Sequence, residues 1–311
     1  MKNKNNLRKL KRELPLHIML LPGLFFVLLF SYAPMFGISI AFMNFIPAKG
    51  LIGDNGALFG NQTWVGLGNF EFIINLAGFR RAFVNSITIA LMKMVTGLVI
   101  PILFAILLNE IRSNIFRRSV QTITYMPHFL SWVILGGILV DLLSPSNGIV
   151  NGFLKALGGK PVFFLGDNNY FQGTLIVTNI WKEFGFAAIV YLAAITNIDP
   201  TYYEAAIVDG ANRLRQTWHI TLPGMRMIIV LMSVLALGNV LNAGFDQIFN
   251  LYSPVVYESG DIIDTFVYRM GMLSAQYGPA TAVGLFRSFI SCLFISASYY
   301  LAYRYADYRI F

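Results

Sequence analysis

Six long apolar segments constrain this chain of 311 residues more than any other feature. They cover residues 16–43, 84–108, 120–144, 174–195, 226–248 and 281–303. Each segment provides the roughly 20 mostly apolar residues that a helix needs to cross the hydrocarbon core of a bilayer. Helices are the structures that bond all their own backbone polar groups in lipid. The pattern therefore predicts an all-α membrane protein with six transmembrane helices.

The composition agrees with a membrane protein and excludes several other classes. Charged residues make up 12% of the chain, about half of the roughly 25% in soluble domains. The single cysteine, Cys292, leaves no internal disulfide and no cysteine-based zinc site. The net charge of +8 comes from residues between the apolar segments, not from a basic stripe or arm. We therefore expect a lipid bilayer as the surroundings and no nucleic acid as a partner.

The lysines and arginines predict the orientation. With both termini in the cytoplasm, 14 of these residues fall in cytoplasmic segments, 6 in outer segments and 3 inside spans. Cytoplasmic loops carry the excess of basic residues in membrane proteins. The basic tail 1–15, the loop 196–225 and the tail 304–311 are therefore predicted to be cytoplasmic, around a transmembrane domain of residues 16–303. The longer outer segments, 44–83, 145–173 and 249–280, are expected to contain short helices at the membrane surface.

The cytoplasmic loop has the signals of a folded element. Asp199 and Pro200 suit the N-cap and first position of a helix. Gly210 permits a turn at its end, and Asn212 can cap a second helix that runs to about His219. Leu222-Pro223 is expected to close that helix and begin the fifth span. These residues indicate a helix–turn–helix for docking, although an ordinary connecting loop with helix caps is an equal alternative.

The same loop resembles the EAA signature of the membrane subunits of binding-protein-dependent ABC importers. The matching positions are Glu204, Ala205, Ala206, Gly210, Trp218, Ile220, Leu222 and Pro223. The Asp209-Gly210-Ala211 variant is similar to the sugar-importing branch. Three further stretches resemble permeases for alginate and pectin oligosaccharides: WVGLGNF at 64–70, NIWKEFGFAAIVYLAAI at 179–195 and NLYSPVVYESGDIIDTFVYRMG at 250–271.

The resemblance implies the transmembrane domain of a type I ABC importer. It implies that the segment 200–211 is a coupling helix that docks on a cytoplasmic ATPase, where Glu204 pairs with a basic residue. The implied coupling residues are Glu204, Ala205, Ala206, Asp209, Gly210, Leu222 and Pro223. The implied partners are a second, homologous permease subunit, two ATPase subunits, an extracytoplasmic solute-binding protein and an oligosaccharide, in the cytoplasmic membrane of a bacterium.

The chain shows no machinery for chemistry of its own. A phosphate-binding loop is missing, because Gly158-Gly159-Lys160 lacks the upstream glycine and the following serine or threonine. His17, His128 and His219 are scattered, and no metal or hydrolase motif accompanies them. We therefore expect a transport subunit that is not an enzyme and holds no cofactor or metal. ATP and Mg²⁺ are expected on the partner ATPase subunits.

Polar side chains within the spans predict a solute path. On a continuous fifth helix, Asn239, Asn242, Asp246 and Asn250 would share one face, and Asn179, Lys182, Glu183 and Phe186 would share a face of the fourth. The candidate path residues are Asn179, Trp181, Lys182, Glu183, Phe186, Asn239, Asn242, Asp246 and Arg287. Polar groups at membrane depth face a cavity or a partner helix. Structural pairing between helices is therefore the alternative for each residue taken singly.

Small residues recur every four positions on the sixth span, at Gly284, Ser288, Cys292 and Ser296. This spacing permits close helix packing, either against the second permease subunit or within the chain. Two alternatives to the importer remain at the level of the whole protein. They are a self-sufficient secondary transporter, which would more often show internal repeats, and an ABC permease for a solute other than a sugar.

Overall fold

The structure is a computed structural model that describes the backbone of residues 2–54 and 56–306 and the side chains of residues 13–54 and 56–300. In this part of the chain, four unbroken helices are long and apolar enough to cross a membrane: Glu13–Phe42, Ala77–Asn109, Asn168–Thr196 and Tyr277–Tyr300. Two bent pairs bring the candidates to six. The predicted helical membrane fold is confirmed. Residue 1 and residues 307–311 of the predicted tails lie outside the described residues.

The two bent pairs are the third and fifth spans. The third joins Asn114–Phe129 to Trp132–Leu142 at 105°. The fifth joins Arg213–Gly224 to Arg226–Gly238 at 61°. The unbroken helices named above are, in chain order, the first, second, fourth and sixth spans.

The remaining elements are short and lie mostly between the spans. The first span is α-helical over Lys2–Val27, π-helical over Leu28–Tyr32 and 3₁₀-helical over Ala33–Phe42, and the sixth continues to Ala306. The other helices are Pro47–Lys49, Gly68–Asn75, Ile149–Ala156, Pro200–Val208, Phe245–Leu251, Pro254–Val256, Tyr257–Gly260, Ile263–Tyr268 and Arg269–Leu273. Short helices therefore form in all three predicted outer segments.

One compact unit comprises the chain up to Asn75 together with Val267–Leu285. Its two short strands, Met43–Asn44 and Thr63–Trp64, pair antiparallel with Met43 opposite Trp64. The buried amide of Asn69 donates to the carbonyls of Ala41 and Met43 at 2.9 and 3.0 Å. These bonds fix the end of the first span against the helix Gly68–Asn75.

The other unit comprises Leu76–Phe266 and the chain from Phe286 onward. Its second and fourth spans pack along one another and provide much of two buried apolar clusters. The larger cluster contains Ile89, Ala90, Leu139, Phe171, Leu175, Ala243, Ile248, Leu251, Val256 and Ile262. The smaller contains Ala105, Ala188, Tyr191, Ile195 and Met225. This core positions the polar groups described below.

The third span is not the straight helix predicted over 120–144. Leu130 is extended, at φ −81° and ψ 137°. Ser131 then caps the following helix by accepting from the Ile134 amide. Pro127 lies just before this break, and proline interrupts the helical bonding ladder. The apolar pattern continues through the bend, which is why the sequence suggested one helix.

The predicted continuation of the fifth span to residue 248 is also wrong. The helix ends at Gly238, residues 239–244 are not helical, and a separate helix covers Phe245–Leu251. Gly244 has φ +89°, a conformation that glycine adopts without steric cost. Asn239, Asn242, Asp246 and Asn250 therefore do not form the predicted stripe on one continuous helix.

Candidate coupling surface and solute path

The helix Pro200–Val208, which was predicted to be a coupling helix, begins at the predicted cap. The Asp199 side chain accepts from the Thr201 amide at 2.9 Å, and Pro200 occupies the first turn. This backbone hydrogen bond lowers the pKa of Asp199, because it stabilises the carboxylate form. The start of the helix is therefore determined by residues adjacent in sequence.

Gly210 ends this helix in the conformation that the sequence predicted. Its φ is +75°. The Gly210 amide donates to the Ile207 carbonyl at 3.0 Å, and the Ala211 amide donates to Ala206 at 2.8 Å. These two bonds define a Schellman motif, in which the residue at φ above zero is usually glycine. The chain can then turn directly into the next helix.

The second helix of the segment starts as predicted but runs further. Asn212 caps it by accepting from the Arg215 amide at 2.9 Å. It then passes through a π-helical turn, Thr217–Thr221, and continues to Gly224. Leu222-Pro223 does not close it, because proline is tolerated in the first turn of the short stretch that follows the π turn. The bend occurs at Met225.

The two helices of the cytoplasmic loop, together with the turn between them, form residues 200–224 and are called the coupling segment below. This segment exposes apolar side chains that no described residue covers. Val208 is 87% exposed, Leu214 77% and Trp218 68%. Glu204 is exposed beside them, and the helix Pro200–Val208 has no buried residue. Exposed apolar patches on folded proteins mark interaction sites. The surface is thus suited to docking, with one carboxylate for a basic group of a partner.

Several contacts connect this surface to the spans. Arg213 pairs with Glu110, at the end of the second span, at 3.0 Å. The Tyr203 hydroxyl bonds that of Thr221 at 3.0 Å. These contacts link the segment to the end of the second span and to the first helix of the fifth.

A second group of functional candidates surrounds the bend of the third span. Lys182 donates to the His128 carbonyl at 2.7 Å and to Glu183 Oε1 at 3.1 Å. The His128 Nδ1 atom lies 2.7 Å from Glu183 Oε2. The His128 ring stacks on Phe186, with centroids 4.0 Å apart and planes at 3°. His128 was not among the predicted site residues, and only Pro127, which indicates a helix break, could have drawn attention to it.

The structure separates the predicted residues of the fourth span by accessibility. The Lys182 side chain is only 8% exposed, and its ammonium donates to two acceptors. Trp181 is 42% exposed and Phe186 40%, whereas Asn179 is half-buried. Trp181 and Phe186 are therefore accessible from outside this chain, whereas Lys182 is bonded to Glu183 and to the His128 carbonyl.

The break in the fifth span is held by polar contacts. The Lys93 ammonium donates to the Ala243 carbonyl at 2.6 Å and to the Gln247 side chain. Gln247, 1% exposed, donates to the Leu175 carbonyl and the Thr178 hydroxyl. These bonds compensate for the missing helical ones. Lys93 and Gln247 are thus positioning residues for the chain around Gly244.

Three predicted residues lie at this break and are exposed: Asn239, Asn242 and Asp246. Asn239 lines a groove of about 320 Å³ together with Lys93 and Tyr191. Among the described residues, the Tyr191 hydroxyl is the buried side-chain atom without a hydrogen-bond partner. The break thus exposes amide and carboxylate groups although the predicted helical face does not exist.

Arg287, the remaining predicted path residue, is bonded to Asp264. Burial raises the pKa of Asp264, against the lowering effect of the Arg287 charge. The Arg287 side chain is 29% exposed. This pair favours the structural alternative for Arg287.

Comparison with known proteins places the chain in a family. Residues 97–309 match the family model described as the inner membrane component of binding-protein-dependent transport systems. The chain belongs to this family. It is therefore a multi-pass membrane permease component of ABC importers, a class of transport subunit.

Relatives match over almost the full length. Protein LplB of Bacillus subtilis (strain 168) is 36% identical over 97% of this chain and 92% of its own length. The polygalacturonan/rhamnogalacturonan transport system permease protein YteP of the same organism is 37% identical over 100% of this chain and 94% of its own length.

A solved structure shares the fold at comparable identity. A chain of a bacterial ABC transporter involved in the import of the acidic polysaccharide alginate aligns with a TM-score of 0.86 and 38% identity. The alignment covers 97% of this chain and 99% of that one. A second structure of a bacterial alginate transporter, in complex with an alginate pentasaccharide-bound periplasmic protein, aligns with a TM-score of 0.85 and 39% identity.

Proposed function

We propose that this chain is the permease subunit of an ATP-driven importer for acidic oligosaccharides in a bacterial cytoplasmic membrane. A second permease subunit completes the path, two ATPase subunits bind ATP and Mg²⁺, and an extracytoplasmic binding protein delivers the sugar. The relatives named for polygalacturonan and for alginate support the substrate class. The single observation that carries the coupling role is the capped, exposed segment that includes Glu204 and Gly210.

The mechanism follows from the connections of that segment. ATP binding closes the two ATPase subunits, and the coupling helix moves with the subunit on which it docks. Arg213 and the Tyr203–Thr221 bond transmit the movement to the second and fifth spans. Trp181, Phe186, Asn239, Asn242 and Asp246 present aromatic and polar groups to the sugar. Hydrolysis then resets the path.

The coupling role is tested with Glu204→Lys in the assembled transporter. We expect membrane insertion and assembly to persist, because Glu204 is exposed and bonds no described residue. Uptake should fall at least about tenfold, as expected when a charge pair at an interface becomes repulsive. The matched control is Glu71→Lys, an exposed glutamate on the helix Gly68–Asn75, which should leave uptake intact. Normal uptake by the Glu204 variant would refute the coupling role.

The substrate is tested separately with the binding protein. A panel of uronate oligosaccharides and neutral oligosaccharides of the same length is titrated into the binding protein, and uptake is then measured in proteoliposomes. Tighter binding and faster uptake of the uronates support the proposal. Selective uptake of neutral sugars would contradict the acidic substrate class, and transport by this chain alone would contradict the importer.

A further inference from the structure

The bend of the third span brings one ionisable group, His128, against the predicted path residues Glu183 and Phe186. His128 lies in the 3₁₀ turn Met126–Phe129, immediately before extended Leu130. The break leaves its carbonyl free of a helical bond, and Lys182 occupies that carbonyl. The backbone of His128 is thereby fixed on the fourth span.

The His128 ring is held by a hydrogen bond at Nδ1, by stacking on one face and by an edge contact with Phe129, and it is partly exposed. Nδ1 bonds Glu183 Oε2, and one ring face lies flat on Phe186. Within the described side chains, none bonds Nε2. The ring is 29% exposed and Phe186 is 40% exposed. An aromatic face beside a fixed hydrogen-bonding nitrogen suits a sugar, which presents both apolar C–H faces and hydroxyl groups.

The charge around His128 depends on its own proton. Glu183 uses one oxygen for Lys182 and the other for His128, so the lysine and glutamate charges compensate each other. Lys93, on the second span, bonds the Ala243 carbonyl and the Gln247 side chain. Neutral His128 leaves an acceptor at Nε2, whereas the protonated ring presents a charged donor there.

We propose that His128 is a specificity-determining residue of the path, which contacts the oligosaccharide through Nε2 and selects carboxylate-bearing sugars when the ring is protonated. The role rests on the proposed function and extends it to a residue outside the predicted set. A uronate carboxylate bonded to Nε2 stabilises the protonated ring. By linkage, the preference for the acidic sugar is greater when the ring is protonated, and therefore at low pH, than when it is neutral.

The experiment uses the assembled transporter in proteoliposomes, with its binding protein. The probes are tetragalacturonate and its full methyl ester, which share length and linkage but differ in charge. Uptake of each is measured at about pH 5.5 and about pH 8, which lie on either side of the usual histidine titration. The acid-to-ester ratio is compared between the wild type, His128→Gln and the matched control His17→Gln.

We expect the wild-type ratio to fall roughly three- to tenfold between the two pH values, as for loss of one charge-assisted hydrogen bond. His128→Gln should abolish that change while uptake of the ester persists, and His17→Gln should behave as the wild type. Any pH dependence of the binding protein is the same for the wild type and the two variants, so it cancels when their ratios are compared. An unchanged pH dependence in His128→Gln would overturn the role of His128. Uptake of neither probe by the wild type would overturn the proposed function instead.

Discussion

At the scale of single residues, the chain offers a matched pair of glycines. Gly210 and Gly158 have φ values of +75° and +83°, and each closes a helix through the same pair of backbone bonds. Neither has an atom within 4 Å of a Cβ built on it. Any effect of a side chain at either position therefore comes from backbone conformation.

We predict that Gly210→Val and Gly158→Val cost similar stability and differ in function. Each forces a β-branched residue into the left-handed region, at about 1–2 kcal/mol. Gly210→Val should uncouple ATP hydrolysis from uptake, because it displaces the start of the second coupling helix. Gly158→Val should leave the coupling ratio unchanged. The ratio of uptake to ATP hydrolysis is measured on the same proteoliposomes for each variant. An equal ratio in both variants would contradict the prediction.

The residues also show why some local features were predictable from the sequence. Asp199, Gly210 and Asn212 act through hydrogen bonds to groups two or three positions away, and Pro200 acts through its fixed φ. The sequence therefore contains the whole interaction. His128 bonds Glu183, 55 positions along the chain, so its role depends on tertiary contacts that no short pattern encodes.

At the scale of elements, the break after Gly238 replaces a predicted continuous helix. The sequence carried a signal for it, since Asn239, Asn242 and Gly244 are all poor helix formers. The apolar residues between them continue the hydrophobic run, which is why the pattern suggested one span. The compensating bonds come from Lys93 and Gln247 and could not be read from the sequence.

We predict that glycine-to-alanine substitutions at two positions change the stability of the protein in opposite directions. Gly244→Ala should destabilise the protein by about 1–2 kcal/mol, because alanine is unfavourable at positive φ. Its Cβ would also lie 2.9 Å from the Lys93 ammonium. Gly173→Ala, in the helical fourth span with open space around it, should stabilise the helix by roughly 0.5–1 kcal/mol.

Thermal unfolding of the purified assembly in detergent measures both variants. The unfolding temperature of the wild type should lie between those of the two variants. Uptake should fall only in Gly244→Ala, where the predicted path residues Asn239, Asn242 and Asp246 are displaced. A Gly244→Ala variant as stable as the wild type would show that the break tolerates a side chain and is not held as described.

At the scale of the whole molecule, the spans are incompletely covered by this chain. The most apolar window of the first span has none of its residues buried, and that of the fourth has 33% buried. Lipid or other subunits must cover the rest. On the sixth span, Cys292 and Ser296 are exposed, so packing of these two residues against described parts of this chain is not observed. That favours a seam with another subunit, at the small-residue positions of the sixth span.

The single thiol makes this seam testable without removing other cysteines. We predict that Cys292 reacts readily with a membrane-permeant maleimide when the chain is purified alone in detergent, and several-fold more slowly in the assembled transporter. The physical reason is that close packing at small residues excludes the reagent. Mass spectrometry of the intact chain follows the reaction, and labelling after denaturation confirms that the thiol has survived. Equal rates in both forms would place Cys292 toward lipid and require the second permease subunit to pack against a different span.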